Sequence, residues 1–440
     1  MPDELAGRRL HFVGVGGAGM SGLALVAREL GGEVTGSDRV ESPYLAAVRA
    51  AGVQVSIGHD AAHVPDGDHV ELVYSTAVPE DNPERATAAR RGLRQLHRGE
   101  LLAEVAALRR CIAVTGTHGK TTTSAMLVHV LRACGLDPAY LVGGELRDTG
   151  ANAGWGAGEW IVVEADESDR SLLRLRPEIA VLTNLELDHH ATYGSRLELE
   201  GTVREFLARA ERAVVWDRPE LVALAAGEAD VFDVPAPALE PGGSRFAWNG
   251  VDVHLHVPGA HNALNAAAAL EAARLAGADP AAAGAALADF PGAGRRFERV
   301  GETASGAAVY DDYAHHPTEV RATIAAARTL DPRRVVAVFQ PHLYSRTAAL
   351  WREFGAALAE ADLPVVLEVY RAREDPARWP GISGLLVAEA AADAADGRRV
   401  GWLPDFDAAE RLLRADLAEG DLCLTLGAGD VDELARRLVA

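Results

Sequence analysis

Lysine is almost missing from this chain of 440 residues: of 43 basic side chains 42 are arginine, and the single lysine is Lys120. An N-K-x-D guanine sequence is therefore excluded, and with it a switch GTPase. Cysteine is scarce too. Cys111, Cys134 and Cys423 have no metal-ligand spacing, which points to free thiols in a reducing compartment. No apolar run reaches the ~18 residues of a membrane span and no signal peptide is visible, so no membrane insertion and a cytoplasmic location are expected. Positive charge is in deficit. A net charge of -21 argues against nucleic acid or an anionic membrane as partner, because phosphate contacts need a basic surface. No solenoid-period repeat is present, and nothing in the sequence fixes an oligomeric state.

What is present reads as a soluble globular chain, 48% apolar and 24% charged, long enough for about three domains. The chain turns on one stretch, Cys111 to Lys120 (CIAVTGTHGK), followed by Thr121, Thr122 and Thr123. Residues 112–114 predict a buried strand, Gly116-Thr117-His118-Gly119 a turn, and 124–131 a helix. Strand, glycine turn and helix start form an anion site, because backbone N–H groups converge there and the helix dipole adds roughly half a positive charge. Lys120 is placed to reach the terminal phosphates of a nucleotide, and Thr121 to offer its hydroxyl to Mg²⁺. The spacing G-x-x-G-K-T is two residues shorter than the usual phosphate loop. A compositional drift to arginine that spares one lysine marks a position where a planar fork will not serve.

A second glycine loop opens the chain. A strand over 10–15 runs into Gly14-Val15-Gly16-Gly17-Ala18-Gly19, then a helix over 20–30 and a strand over 33–35 ending at Asp38. This is G-x-G-x-x-G with an acid 19 residues after the last glycine, a dinucleotide-type pattern that is weak alone. A nicotinamide oxidoreductase is the reading it permits, and that reading leaves the second phosphate loop unexplained. Strands over 53–57 and 72–75 extend the α/β alternation to residue 108.

In open α/β sheets ligands gather at strand C-termini. Strands over 160–163 and 179–183 end in Glu164-Ala165-Asp166-Glu167-Ser168-Asp169 and in Asn184-Leu185-Glu186-Leu187-Asp188-His189-His190. Glu164 and His189 are thus candidates to complete a Mg²⁺ site with Thr121. A strand over 251–257 leads to His261-Asn262-Ala263-Leu264-Asn265 and an alanine-rich helix. Asn262 and Asn265 share one helical face, where they either read an adenine edge or cap the helix. After Pro291–Gly294 a third alternation has strands over 307–310, 334–339, 364–367 and 421–424. Its strand ends carry Asp311-Asp312-Tyr313-Ala314-His315-His316-Pro317 and Gln340-Pro341-His342-Leu343-Tyr344-Ser345-Arg346-Thr347, which are either turns with caps or a site for a second, carboxylate-bearing substrate.

The set GVGGAGMSGLA, GTHGKTTT, EADESD, TNLELDHH, HNALNA, RRFE, DDYAHHPTEV and QPHLYSRT, in this order along nearly the whole chain, resembles the Mur ligases. The shortened phosphate loop is itself that family's form. The resemblance implies an α/β enzyme of three domains. A Rossmann-like UDP-sugar domain would span 1–108, a central P-loop ATPase-type mixed-sheet domain 109–294, and a Rossmann-like amino-acid domain 295–440. Gly16, Gly17, Ala18, Gly19, Met20, Ser21 and Asp38 would hold the UDP moiety. Gly116, Thr117, His118, Gly119, Lys120, Thr121 and Thr122 would hold ATP phosphates, with Thr121, Glu164 and His189 on Mg²⁺. His261, Asn262 and Asn265 would meet adenine, and Arg296 and Asp312 would reach ATP from the third domain. His315 and Arg346 would help bind the amino acid, with Lys120, His189, His315 and Arg346 forming the catalytic set.

The expected chemistry is phosphorylation of the sugar's lactyl carboxylate by ATP, then attack by an amine on the acyl phosphate. DESDRSLL, LDHHATYGS and DDYAHHPTEV favour the branch joining L-alanine to UDP-N-acetylmuramate over the branch joining a recycled peptide. Two departures stand out. Leu343 occupies a place where alanine-adding members often carry a second arginine, and a carbamylated lysine, a device of some siblings, is excluded by the single lysine.

Overall fold

The computed structural model describes residues 4–189 and 192–440, so His190 of the TNLELDHH stretch lies outside the described residues. The chain divides into two compact units: Met1–Leu185 with Leu197–Asp233 and Ala268–Ala286, and Glu186–Arg196 with Val234–Ala267 and Leu287–Ala440.

The first unit holds two sheets. One is all parallel, in the order Gln54–Ile57, Glu33–Asp38, Arg9–Val13, Val70–Tyr74, Arg94–His97. The order reverses beside the central strand Arg9–Val13, and the glycine loop leaves the C-terminal end of that strand. The strand expected over 33–35 continues to Asp38, because Gly36 packs against Phe12 and Val15 with no room for a side chain. The other sheet runs Asp230–Phe232, Arg212–Trp216, Ile179–Leu182, Arg110–Thr115, Trp160–Glu164, Ala139–Leu146, Ala151–Gly154. All its pairings are parallel except the last. Arg110–Thr115 sits in the middle, buried from Cys111 on, as a run without alternation requires. The last pairing, a hairpin, makes this sheet mixed, as the resemblance implies, although its two strands were not among those read from the sequence.

Helix Ala18–Glu29 of the first sheet packs on that hairpin. A side chain on Gly22 would meet Ala153 Cβ at 3.0 Å, and Asn152 Nδ2 donates to the Ala18 carbonyl at 2.5 Å. Small residues let the two sheets of this unit approach through one helix.

The second unit holds a three-stranded antiparallel sheet (Ala238–Glu240, Gly243–Trp248, Val251–Leu255) and a six-stranded one. The latter runs Glu298–Glu302, Ala308–Asp312, Asp421–Leu426, Arg334–Phe339, Leu363–Val366, Gly401–Trp402, parallel but for its first strand. Phe339, Phe354, Val335, Leu424 and Ile324 fill one face of it, and Val336, Val338, Leu413 and Leu434 the other. Helix Pro317–Arg328 starts on a capping box: the His316 ring accepts from Thr318 N, Glu319 accepts from His316 N, and Pro317 is the first helical residue.

Candidate functional site

The phosphate loop is built as its glycines demand. Gly116 has φ +135° and a Cβ there would fall 2.1 Å from Thr183 Oγ1; Gly119, at φ +79°, leads into helix Lys120–Ala133. Two residues absent from the expected set fix the loop. Thr183 Oγ1 and Asn184 Nδ2 both donate to the His118 carbonyl (2.7 and 2.9 Å), and His118 N donates to Asn184 Oδ1 at 2.9 Å. Their signal was the TN that ends the neighbouring strand.

Lys120 turns back on its own loop. Nζ donates to the carbonyls of Gly116 (2.6 Å) and Thr117 (3.1 Å) and to Glu167 Oε1 (3.0 Å). Burial pulls the ammonium's pKa down, but Glu167, Asp166 and Glu164 outweigh it, and the net displacement is upward. Sequence reasoning gave no role to Glu167, whose side chain is 1% exposed. Thr121 and Thr122 are buried in the first turn of the helix. Glu164, at the end of its strand, accepts from Gly143 N at 2.7 Å, and a Cβ on Gly143 would fall 2.5 Å from Glu164 Oε1. That glycine keeps room around a carboxylate at the C-terminal edge of the sheet.

At the first glycine loop Asp38 Oδ2 accepts from Gly16 N at 2.7 Å, and Ser42 Oγ donates to the Gly16 carbonyl at 2.8 Å. Gly14 N and Val15 N donate to the Ser37 carbonyl. Met20 and Ser21 are buried, with Ser21 Oγ donating to the Ala18 carbonyl, so those two side chains pack the helix start. Behind Asp38, buried Glu84 gathers Ser37 Oγ, His11 Nε2 and His59 Nδ1 within 2.7–3.0 Å.

In the second unit Arg346 meets Asp188 through paired bonds, Nε to Oδ1 at 2.9 Å and Nη2 to Oδ2 at 3.0 Å. Asp188 had no place in the expected set. Burial would raise its pKa, but Arg346, His189 and His315 hold it far below the carboxylate range. His342 Nδ1 lies 3.2 Å from Arg346 Nη1; since a guanidinium only donates, that nitrogen accepts and Nε2 carries the proton. His315 Nδ1 lies 2.9 Å from the Tyr313 carbonyl, which fixes the opposite tautomer and leaves Nε2 a bare lone pair. Burial lowers the pKa of His315 to about 4 and of His342 to about 3, so both rings are neutral near pH 7. His342 stacks on Tyr370 at 5.8 Å and meets His315 edge-on at 6.2 Å. His189, at φ +55°, has Nε2 3.8 Å from Asp188 Oδ2. It belongs to this unit, whereas Thr121 and Glu164 belong to the first.

Asp312 accepts from Phe297 N (2.7 Å) and Ala314 N (2.8 Å), and burial, opposed by Arg296, raises its pKa to about 6. Of the paired arginines, Arg295 is structural, bound to Asp311 and to the Gly427 and Gly429 carbonyls, while Arg296 lies over the Tyr313 ring. Asn262 Nδ2 donates to the Pro258 carbonyl at 2.8 Å and its Oδ1 accepts from Asn265, so its amide does not turn to a helix N–H group as a cap would. Burial lowers the pKa of His261 to about 4. Leu343 is half-buried, not core, and precedes helix Tyr344–Leu358 at φ +70°.

Comparison with known proteins matches these segments. The description "Mur ligase family, catalytic domain" fits residues 9–110, "Mur ligase middle domain" 114–273, and "Mur ligase, glutamate ligase domain" 295–429. The chain belongs to the Mur ligase family. Among its relatives, a UDP-N-acetylmuramate–L-alanine ligase of Rubrobacter xylanophilus is 46% identical over 98% of this chain and 99% of its own. One of Kineococcus radiotolerans is 48% identical over 96% and 94%. The crystal structure of a UDP-N-acetylmuramate–alanine ligase from Thermotoga maritima is 28% identical, with a TM-score of 0.84 over 98% of both chains. A murein peptide ligase from Psychrobacter arcticus is 26% identical, with a TM-score of 0.73 over the same share of each.

Proposed function

We propose that the chain joins L-alanine to the lactyl carboxylate of UDP-N-acetylmuramate, with ATP converted to ADP and phosphate, as a cytoplasmic ligase of peptidoglycan biosynthesis. The observation that carries the reading is Lys120, the one lysine of the chain, closed into a phosphate loop beside Glu167, in a chain whose full-length relatives bear that activity in their names. Among the described residues no helix is long and apolar enough to cross a membrane.

Three parts share the work: 1–108 takes the UDP-sugar, 109–294 ATP and 295–440 the amino acid. Backbone N–H groups of the loop from Gly16 to Gly19, with Asp38, hold the UDP moiety; Met20 and Ser21 shape the helix start beneath it. The loop from Gly116 to Gly119, with Thr121, Thr122 and Lys120, takes the ATP phosphates, and Lys120 leaves its own carbonyls for the transferred phosphoryl group. His261, Asn262 and Asn265 meet adenine, and Arg296 and Asp312 reach ATP as the third domain closes.

A hydroxyl on Thr121 and a carboxylate on Glu164, kept uncrowded by Gly143, are the oxygen donors that Mg²⁺ prefers, with His189 as third ligand. Bound Mg²⁺ supplies charge neutralisation on the phosphates. The carboxylate oxygen of the sugar attacks the γ-phosphorus and ADP leaves. The amine of L-alanine, its carboxylate on Arg346, attacks the acyl carbon and phosphate leaves. The amine's proton passes to His315 Nε2, which holds it only in passing at a pKa of about 4 and relays it to the departing phosphate. Excluding water while the acyl phosphate exists is the purpose of closure.

The test is phosphate release from ATP with UDP-N-acetylmuramate, with and without L-alanine. Release that needs both substrates and Mg²⁺ supports the reading. Preference for a tripeptide over L-alanine as acceptor would overturn it in favour of the peptide-joining branch.

A further inference from the structure

Two neighbouring residues of one loop grip opposite sides of the first unit. Glu167 accepts from Lys120 at the phosphate loop. One residue earlier, Asp166 Oδ2 accepts from Arg98 Nη2 at 2.9 Å, and Asp169 Oδ2 accepts from the same nitrogen at 2.9 Å. Both aspartates are anchored from elsewhere. Ser168 N donates to Asp166 Oδ1 (2.9 Å), while Ser171 N and Thr76 Oγ1 donate to Asp169 (3.0 and 2.9 Å).

Arg98 opens helix Arg98–Ala106 in the first sheet's half of the unit, one-fifth exposed. Nη2 serves the aspartates; Nη1 lies 3.3 Å from where a Cβ on Gly19 would stand. The last glycine of the G-x-G-x-x-G loop therefore leaves the space through which a guanidinium reaches the start of helix Ala18–Glu29. A cation with spare N–H groups beside an anion-binding turn recognises an anion by charge and geometry together.

We infer that Arg98 is a substrate-positioning residue: Nη1 takes an anionic group of the sugar nucleotide at the glycine loop, while Nη2, held by Asp166 and Asp169, fixes the guanidinium in place. The inference rests on the reading of the two loops given above.

The test uses the full chain and UDP-N-acetylmuramate without ATP. In the double variant Arg98→Met/Asp169→Asn, which removes the cation with one of its anions, the dissociation constant for the sugar nucleotide should rise about tenfold or more. In turnover the KM for ATP should stay within about twofold. Arg98→Lys, which keeps a charge but not the fork, should fold and recover part of the affinity. A folded double variant that binds the sugar nucleotide as tightly as the native chain overturns the inference. A native chain that does not bind the sugar nucleotide overturns the functional reading itself, a separate outcome.

Discussion

Arg346 and Asp188 form a two-pronged ion pair at 2.9 and 3.0 Å, with both side chains 4% exposed. The pair orients the guanidinium; Nη1 turns to the His342 ring and carbonyl, and one N–H of Nη2 is left for another carboxylate. Asp188→Asn strands a buried cation, which costs about 3–5 kcal/mol of stability. We expect a matching drop in the urea midpoint and a raised KM for L-alanine. A folded variant with unchanged stability and KM would remove the pair from the site.

Acid should loosen the second unit at a pH set by its histidines. His261 and His315 titrate at about 4 and His342 at about 3, below the ordinary 6.5. Between those values the unfolded chain binds protons that the folded chain refuses, so stability falls as pH falls. Each ring contributes up to ~1.4 kcal/mol per pH unit. Asp312, raised to about 6, works the other way between 3.8 and 6, because its folded form binds the extra proton. Three rings outweigh one carboxyl. Urea titrations from pH 7 to pH 5 should show a steady loss, and His261→Gln should flatten the slope.

Glu164→Ala should depress turnover by the equivalent of roughly 2–4 kcal/mol of transition-state stabilisation while leaving sugar-nucleotide binding nearly intact. Isothermal titration with UDP-N-acetylmuramate, beside phosphate release across a Mg²⁺ series, separates the two effects. Near-normal turnover at low Mg²⁺ would take Glu164 out of the metal site.

Leu343 carries backbone strain at φ +70°, held by its N–H on the Tyr370 carbonyl and by Thr347 on its own carbonyl. Leu343→Gly should raise the melting temperature slightly, since such a conformation costs a non-glycine residue about 1–3 kcal/mol. Half-exposure lets Leu343→Arg fold, and the added charge should lower the KM for L-alanine or leave it unchanged. A KM that rises in the folded Arg variant would contradict the idea that charge is wanting there.

Lys120 should be a sluggish nucleophile even without nucleotide. Three acceptors hold its ammonium, so amine reagents should modify the N-terminus well before it. Glu167→Gln should speed its labelling, and Mg²⁺ with a non-hydrolysable ATP analogue should slow it further. Lys120→Arg should fold, bind the sugar nucleotide and form no acyl phosphate.

Much of this was legible because glycine turns and apolar strands are local. Gly116, Gly119 and the run from Cys111 to Thr115 announce the phosphate loop without help from the rest of the chain. Asp188, Glu167 and Arg98 were not legible: each matters through a partner 158, 47 or 68 residues away. Spacing carries no record of such pairings. Asn262 shows the reverse, a local rule that offered a cap where the side chain instead binds Pro258.

The seam at Ala18, Gly22, Asn152 and Ala153 has a consequence for synthesis. A ribosome delivers the first sheet complete at His97, while the hairpin that covers its helix begins only at Ala139. Until then Gly22 and its neighbours face water, and the emerging strand pair lacks its cover. A fragment cut after residue 108 should therefore be poorly soluble although it holds every strand of its own sheet, and one extended through residue 286 should not.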